Sequence, residues 1–292
     1  MESLEGRLFR PRKDRMDEGK MSLLAHLTEL RKRLLWSILA LLVGMGVAWN
    51  YADDLLAFIE RPLTGHTYLA AVKSRAYEIM KAQAPGLYQK LQLKGIPSES
   101  PPADRKLNYT TPLEPFFVQI KLSMIGGAIL ALPLILYQLW RFIAPGLTGM
   151  ERRFAIPFIT SGTLSFLVGA AFFLLVIWPV IINFSLSYES AGLRSWFSLT
   201  AYVNFCLRLL VIFGLVFELP VVAAILARRG LVTGQFLARQ RRYALLASAI
   251  VAAFHADLVT MGVIWVPLYL MYEVSIWVAR LIGARRVVPT TT

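Results

Sequence analysis

Cysteine, histidine and charged residues are all scarce in this 292-residue chain, which has one cysteine, three histidines and 17% charged residues. The single cysteine, Cys206, rules out an internal disulfide and is expected to pack as a small apolar residue inside the fourth apolar segment. The histidines, His26, His66 and His255, show no His-Glu-x-x-His or other metal-ligand spacing. A phosphate-cradling glycine motif is also missing, so neither an enzyme nor a cofactor is expected.

Apolar sequence takes the place of these residues. Hydrophobic residues make up 57% of the chain and the mean hydropathy is +0.56, far above a soluble domain of this size. The runs between charged residues predict an all-α membrane protein with six transmembrane helices, at 34–52, 122–140, 154–188, 209–227, 243–256 and 258–272. Only Glu218 interrupts the fourth run, and six spans place both termini on one side.

The distribution of basic residues predicts which side that is. With both termini in the cytoplasm, 20 of the 31 Lys and Arg residues lie inside, as the positive-inside rule requires. Eight of the others belong to the long loop 53–115, which can cross the membrane regardless of its charge. The net charge of +13 is thus explained by topology and by anionic lipid, and nucleic acid is not an expected partner.

The domain organisation is simple. Residues 1–20 are charged and lack an apolar core, which predicts a disordered arm and not a cleavable signal peptide. Residues 21–282 are expected to form a single six-helix domain with no internal repeat, and residues 283–292 a short cytoplasmic tail. The outer loop 53–115 is expected to be a partly helical cap over the outer face.

The last two predicted spans are short, and prolines recur inside the spans. The 14 uncharged residues of 243–256 rise about 21 Å, against a hydrocarbon core of roughly 30 Å. The pair therefore forms either a re-entrant hairpin or two full crossings in a thinned bilayer. The prolines favour a kinked, concave, glove-like bundle over parallel rods; they are Pro133, Pro157, Pro179, Pro220 and Pro267.

Two acids, Glu29 and Glu151, each stand beside basic residues at the edge of an apolar run. On one side of a bilayer, they would present two fixed carboxylates to a cationic ligand. Each acid also has a structural explanation. Glu29 can pair with Arg33 four residues further on, and Thr148 to Glu151 fits a helix capping box. Spacing alone leaves both explanations open and slightly favours the structural ones.

A third acid, Glu218, lies about midway through the fourth predicted span. An ionisable group at that depth costs roughly 2.5–3.5 kcal/mol on insertion scales, so it is expected to face protein or a watery cavity. Its structural explanation is a protonated acid that is hydrogen-bonded to a tyrosine or a backbone carbonyl. That explanation and a functional role are equally compatible with its position.

Four stretches of the sequence, taken in order, carry a resemblance to a known family. They are Leu-Thr-Glu-Leu-Arg-Lys-Arg at 27–33, Glu-Pro-Phe-Phe at 114–117, Leu-Tyr-Gln-Leu-Trp-Arg-Phe-Ile-Ala-Pro-Gly-Leu at 136–147 with Glu-Arg-Arg at 151–153, and Phe-Gly-Leu-Val-Phe-Glu-Leu-Pro at 213–220. They resemble TatC, the multispanning receptor subunit of the twin-arginine protein translocase. The resemblance covers roughly residues 21–282, and 140–153 is its most specific part.

The resemblance implies that Glu29, Phe142 and Glu151, with Arg31 close by, bind the twin-arginine signal peptides of folded precursor proteins at the cytoplasmic face. A guanidinium forks onto a carboxylate through two N–H groups, a geometry that the lysine ammonium cannot match. The ring of Phe142 could pack against the apolar part of the signal or face an arginine.

The resemblance further implies that Glu218 lies in the concave face, where single-span subunits of the TatA and TatB type act. Pro62 matches a family position in the outer loop. The protein would then nucleate the export channel within an oligomeric complex of the bacterial cytoplasmic membrane, with energy from the proton gradient. One departure is that residues 254–257 read Phe-His-Ala-Asp where the family often has Thr-Pro-x-Asp, which puts partner contacts through that threonine or proline in doubt.

The main alternative is an ion-coupled small-solute transporter that uses Glu218 as its proton site. Such transporters usually contain internal repeats and paired broken helices around a midplane site, whereas this chain has one central acid. A purely structural scaffold for other membrane helices is not separable from a receptor by sequence. Copurification of a signal-bearing precursor would distinguish the three.

Overall fold

The computed structural model describes residues 23–64, 105–143, 155–189, 194–253 and 258–284, and these ranges are predominantly helical. A 3₁₀ turn, Arg61–Thr64, follows the helix Ala52–Glu60, and a π-helical turn, Phe173–Ile177, joins the helices Ala155–Phe172 and Trp178–Leu186. The helices are α1 (Leu23–Trp49), α2 (Ala52–Glu60), α3 (Glu114–Ile143), α4 (Ala155–Phe172), α5 (Trp178–Leu186), α6 (Leu199–Phe217), α7 (Leu219–Arg229), α8 (Gly234–Arg239), α9 (Arg241–Ala253) and α10 (Leu258–Ala284). The predicted all-α class is confirmed for these ranges.

Five helical segments in these ranges are long and apolar enough to cross a membrane. They correspond to the first four predicted spans and the sixth, and extend over Leu27–Trp49, Glu114–Phe142, Ala155–Leu186, Leu199–Arg229 and Thr260–Gly283. α1 begins before the first apolar run and continues unbroken from Leu23 through Glu29 into it.

The last two helices differ from each other in length. The fifth apolar run forms α9, whose 13 residues rise about 20 Å, less than the roughly 30 Å of a hydrocarbon core. The prediction of a short sixth span is wrong, since α10 has 27 residues and continues past Glu273. Arg241 donates to Glu273 Oε2 (2.8 Å) and the Tyr269 hydroxyl donates to Oε1 (2.9 Å). Glu273 therefore has one partner on α9 and one on α10.

Two of the span prolines coincide with local departures from α-helical geometry. Before Pro179, the π turn lets the Trp178 N–H bond the Phe173 carbonyl five residues back. Before Pro220, a turn at Glu218 separates α6 from α7. Proline lacks the N–H that would continue the hydrogen-bond ladder, which accounts for a break at each place.

Two aromatic side chains in the core hold α2 against the long helices. Trp178 and Tyr202 stack edge to face at 4.9 Å, and both donate to the Ile59 carbonyl, at 3.0 and 2.9 Å. That carbonyl lies at the C-terminal end of α2, where helical partners run out. The two hydrogen bonds thus hold α2 in place and leave Pro62, in the following 3₁₀ turn, buried. Cys206 is fully buried in the same core, as predicted.

Glu114, the first residue of α3, joins the segment before α3 to the segment before α6. Its carboxylate accepts hydrogen bonds from the Thr110 and Thr200 amides, both at 2.9 Å, and from the Ser198 hydroxyl at 3.4 Å. Several hydrogen-bond donors stabilise a buried carboxylate, because each offsets part of the free-energy cost of removing the charge from water. Glu114 therefore ties the start of α3 to the start of α6.

Candidate functional site

The end of the bundle where α1 begins and α3 ends brings together Glu29, Arg33 and Gln138. Arg33 Nη2 donates to Glu29 Oε1 at 3.0 Å, one helical turn away on α1. Arg33 Nη1 makes a longer hydrogen bond, 3.5 Å, to Gln138 Oε1 on α3. The i,i+4 pair that the spacing of Glu29 predicts is therefore present, and it is linked to a second helix.

Two glycines set the register that creates this cluster. A Cβ on Gly44 would lie 2.5 Å from the Gly127 carbonyl oxygen, so the backbones of α1 and α3 touch there. The helices are antiparallel, and 11 residues separate both Gly44 from Arg33 and Gly127 from Gln138. One further turn on each helix brings Glu29 level with Phe142.

The Glu29–Arg33 pair is largely shielded from solvent and only partly bonded. The side chains of Glu29 and Arg33 are 16% and 14% exposed. Glu29 Oε2 and Arg33 Nε are both buried and have no hydrogen-bond partner among the described residues. A buried acceptor that lacks a donor is costly, by about 1–3 kcal/mol, so this oxygen is a favourable position for a donor from a ligand.

The other residues predicted for this site have different positions. Arg31 is exposed on α1, and Phe142 is half-buried near the end of α3. Glu151 lies outside the described residues, so its distance from Glu29 stays a prediction. Glu29 and Phe142 therefore lie at one level of the bundle, whereas Arg31, two residues from Glu29, is on a different face of α1.

Glu218 forms a separate site at the turn between α6 and α7. The site is compact because a Cβ on Gly162 of α4 would lie 3.2 Å from Glu218 Oε2. The Ser165 hydroxyl donates to the Phe217 carbonyl at 2.5 Å, next to the same turn. Glu218 itself is half-buried, and its buried Oε1 has no hydrogen-bond partner among the described residues. The predicted bond to a tyrosine or a carbonyl is thus not found within those ranges.

The two acidic sites contact opposite faces of α3. Leu136 of α3 approaches the Glu218 site, since its Cδ1 would be 2.9 Å from a Cβ on Gly162. Gln138 approaches Arg33 instead. Two residues turn a helix by about 200°, so the faces of Leu136 and Gln138 point in nearly opposite directions. The Glu29 site and the Glu218 site are therefore on different sides of α3.

Sequence reasoning missed the roles of Gln138 and Gly162. Gln138 is a polar residue in an apolar run, which is a usable signal, but only the register of α1 and α3 reveals its partner. Gly162 carries no signal of its own, because the sequence does not show which glycine of α4 faces Glu218. Within the described ranges, no group of three His, Cys, Asp or Glu residues could hold a metal ion.

The fold and these sites define a multi-pass α-helical membrane protein with one acid at a bundle end and another inside the bundle. A family model described as TatC, the Sec-independent protein translocase protein, matches residues 25–267. The chain belongs to this TatC family of protein translocase components.

Curated relatives and a solved structure agree with that assignment. The TatC protein of Koribacter versatilis is 33% identical over 265 residues, which cover 90% of this chain and 86% of the relative. The TatC protein of Aquifex aeolicus is 33% identical over 264 residues, covering 89% and 95%. A crystal structure titled as the twin arginine translocase receptor TatC superposes with a TM-score of 0.67 at 32% identity, covering 88% of this chain and 99% of that one.

Proposed function

We propose that this protein is the receptor subunit of a twin-arginine translocase. In this role, it binds the signal peptides of folded precursor proteins at its cytoplasmic face and nucleates assembly of the export channel. The observation that carries the proposal is the partly bonded carboxylate of Glu29, whose buried Oε2 has no donor among the residues that the structure describes. Membership of the TatC family and the likeness to a structure titled as a receptor support it.

The chemistry of the site suits an arginine side chain. A guanidinium presents five N–H donors in a planar fork and stays charged at any physiological pH. At Glu29 it can donate to the free Oε2, in a region that is mostly shielded from water. Shielding strengthens a charge-assisted hydrogen bond because the local dielectric constant is lower than that of water.

Two further residues complete the proposed binding site. Glu151 supplies a carboxylate for the second arginine of the signal. Phe142, level with Glu29, offers an apolar surface to the hydrophobic part of the signal or a ring face to an arginine. The exposed cation of Arg31 repels basic peptides that fail to engage both acids, which favours specificity.

In the proposed topology, the protein lies in the inner membrane of a bacterial cell and this site is at the cytoplasmic face. The excess of Lys and Arg near the ends of α1, α3, α7 and α10 supports cytoplasmic termini. We propose six crossings, with α9 as a short fifth span in a locally thinned bilayer. The breaks at Pro179 and Pro220 favour a concave, glove-like bundle.

Glu218 is proposed to receive partner subunits. An intramembrane acid that has an unpartnered oxygen can accept a hydrogen bond from a polar side chain of a single-span helix of the TatA or TatB type. The receptor would thus act within an oligomeric complex, and the proton gradient would supply the energy. Since the neighbours of the two acids, Arg33 and Gly162, approach opposite faces of α3, signal binding and partner binding can occur together.

The test is copurification of a precursor that carries a twin-arginine signal with the full-length receptor. The expected result is a complex that forms with the intact signal and is lost when its two arginines are changed to lysines. A receptor that retains both precursors equally would contradict recognition by the carboxylates. Proton-dependent uptake of a small solute by liposomes that contain the purified chain alone would instead support the transporter alternative.

A further inference from the structure

We propose that Arg33 is an internal ligand of Glu29, which an arriving guanidinium displaces onto Gln138. The inference rests on the proposed function of Glu29 as a signal-binding residue and adds an exchange step to it. Arg33 is then a positioning residue that sets the affinity of the site, because every ligand must compete with it for the same carboxylate.

The contacts of Arg33 show an incomplete pair. Its guanidinium reaches Glu29 through Nη2 alone, at 3.0 Å to Oε1, while its Nε is buried without a partner in the described ranges. Both residues sit on one helix four positions apart, so the backbone fixes how their side chains meet. A ligand arginine is free of that restriction and can fork onto both Oε1 and Oε2. The fork makes one more charge-assisted hydrogen bond than Arg33 makes.

Gln138 offers a hydrogen-bond acceptor to the displaced guanidinium of Arg33. Its Oε1 already lies 3.5 Å from Arg33 Nη1, which is the long limit of a hydrogen bond. A small rotation of the Arg33 side chain toward α3 would shorten this contact while the side chain leaves Glu29. The cation therefore keeps an acceptor, and its displacement does not leave a shielded charge alone.

Competition of this kind has a definite thermodynamic signature. The apparent affinity of a ligand is its intrinsic affinity multiplied by the fraction of receptors in which Glu29 is not paired with Arg33. An ion pair of this type is worth up to about 1 kcal/mol, so removing Arg33 should raise the affinity for a cationic ligand roughly three- to fivefold. The factor should be similar for twin-arginine and twin-lysine peptides, since both compete with the same group.

The experiment measures binding of a dye-labelled peptide with two adjacent arginines to the full-length receptor in lipid nanodiscs, by fluorescence anisotropy. Arg33→Gln should bind it about three- to fivefold more tightly. The gain should vanish when Glu29→Gln is also present. Lys32→Gln is the matched control, because it removes an equal charge from an exposed neighbour. It should change the affinity less than Arg33→Gln does.

Two further variants test whether a change in affinity comes from the exchange or from misfolding of the variant. Arg33→Lys keeps the charge but loses the planar donor group, and its affinity should fall between those of the wild type and Arg33→Gln. Gln138→Leu removes the second acceptor. It should weaken binding about twofold in the wild type and have no effect beside Arg33→Gln.

Each outcome decides between the exchange and the site that it depends on. Weaker binding by Arg33→Gln, or an equal gain from Lys32→Gln, would overturn the exchange and leave Glu29 as a binding residue. A normal loss from Glu29→Gln with no gain from Arg33→Gln would do the same. No loss from Glu29→Gln would overturn the proposed site itself, and the exchange with it.

Discussion

Gly127 of α3 lies so close to α1 that a Cβ on it would be 2.4 Å from the Met45 amide nitrogen. Real Cβ atoms do not approach a backbone atom this closely, so the two helices touch only because glycine lacks this atom. Close backbone approach through small residues is a common way for membrane helices to associate. The contact fixes the register of α1 against α3, and this register places Glu29 level with Phe142.

Gly127→Ala should therefore damage the binding site from a distance. The added methyl meets backbone atoms of α1, which yield only if the helices separate, at a cost of about 1–3 kcal/mol. We expect a lower unfolding temperature for the purified receptor and weaker binding of a twin-arginine peptide. The matched control is Gly46→Ala, whose Cβ would meet nothing within 4 Å. Equal behaviour of the two variants would contradict the role of the glycine contact.

Glu29→Gln should weaken the binding of a twin-arginine signal by more than tenfold, because it loses a charge-assisted hydrogen bond worth about 1.5–3 kcal/mol. Crosslinking of the signal to receptor in membrane vesicles measures the effect. Accumulation of the receptor should stay normal, since the residue lies at the end of the bundle. Wild-type crosslinking by this variant would mean that Glu29 serves only its pair with Arg33.

Glu151→Gln distinguishes a binding acid from a helix cap. A binding carboxylate should lose its crosslink to the signal, whereas a capping box accepts glutamine at the same position. An unchanged crosslink yield, with the protein inserted normally, would favour the capping role. The double variant with Glu29→Gln should lose more affinity than either single variant if the two acids hold different arginines of the signal.

The proposed topology predicts which inserted cysteines an impermeant thiol reagent can reach. Gln235 is exposed in α8 and Asp54 is exposed in α2, on opposite sides of the proposed bilayer. A cysteine at position 235 should react only from the cytoplasmic side, and one at position 54 only from the outside. The native Cys206 is fully buried and should stay unlabelled in the folded protein. Labelling of position 235 from the outside would overturn the orientation.

Sequence alone predicted the helical class and most of the long apolar segments because hydropathy reports directly on membrane burial. The prediction of a short sixth span is wrong, because the uncharged run ends before Glu273 whereas α10 continues to Ala284. Arg241, which binds this acid from 32 positions away on α9, is a tertiary partner that local pattern does not encode. The same limit applies to Arg33, whose link to Gln138 joins residues 105 positions apart.

For Glu29 and Glu218, too, the sequence shows the local context and only the structure shows the partners. The depth of Glu218 and the basic surroundings of Glu29 are visible in the sequence, since both depend on local context. Glu29 Oε2 and Glu218 Oε1 have no partner in the described part of the chain, and this depends on which helices pack together. The Gly44–Gly127 and Gly162–Glu218 approaches decide this packing, and glycine spacing alone does not select these partners among the 19 glycines of the chain.

Glu218→Ala should block export and leave the binding of a twin-arginine signal intact, because the Glu218 site and the Glu29 site lie at different faces of α3. Loss of a hydrogen bond to a charged group is worth about 1.5–3 kcal/mol, so transport should fall roughly tenfold or more. Transport of a precursor into inverted membrane vesicles measures it, beside the crosslinking assay. Glu218→Gln keeps the size and an acceptor, so substantial residual transport would indicate hydrogen bonding and complete loss would indicate ionisation.

Gly162→Ala tests the same site without removing the acid. Its Cβ would lie 2.9 Å from Leu136 Cδ1 and 3.2 Å from Glu218 Oε2, so the carboxylate has to shift by a few tenths of an ångström. We expect a partial loss of transport, smaller than that of Glu218→Ala, with signal binding unchanged. Gly262→Ala is the control, because its Cβ would meet nothing within 4 Å in α10. Normal transport by both Gly162→Ala and Glu218→Ala would contradict a functional role for this acid. If Glu218→Ala loses both signal binding and protein accumulation, Glu218 is a structural residue instead.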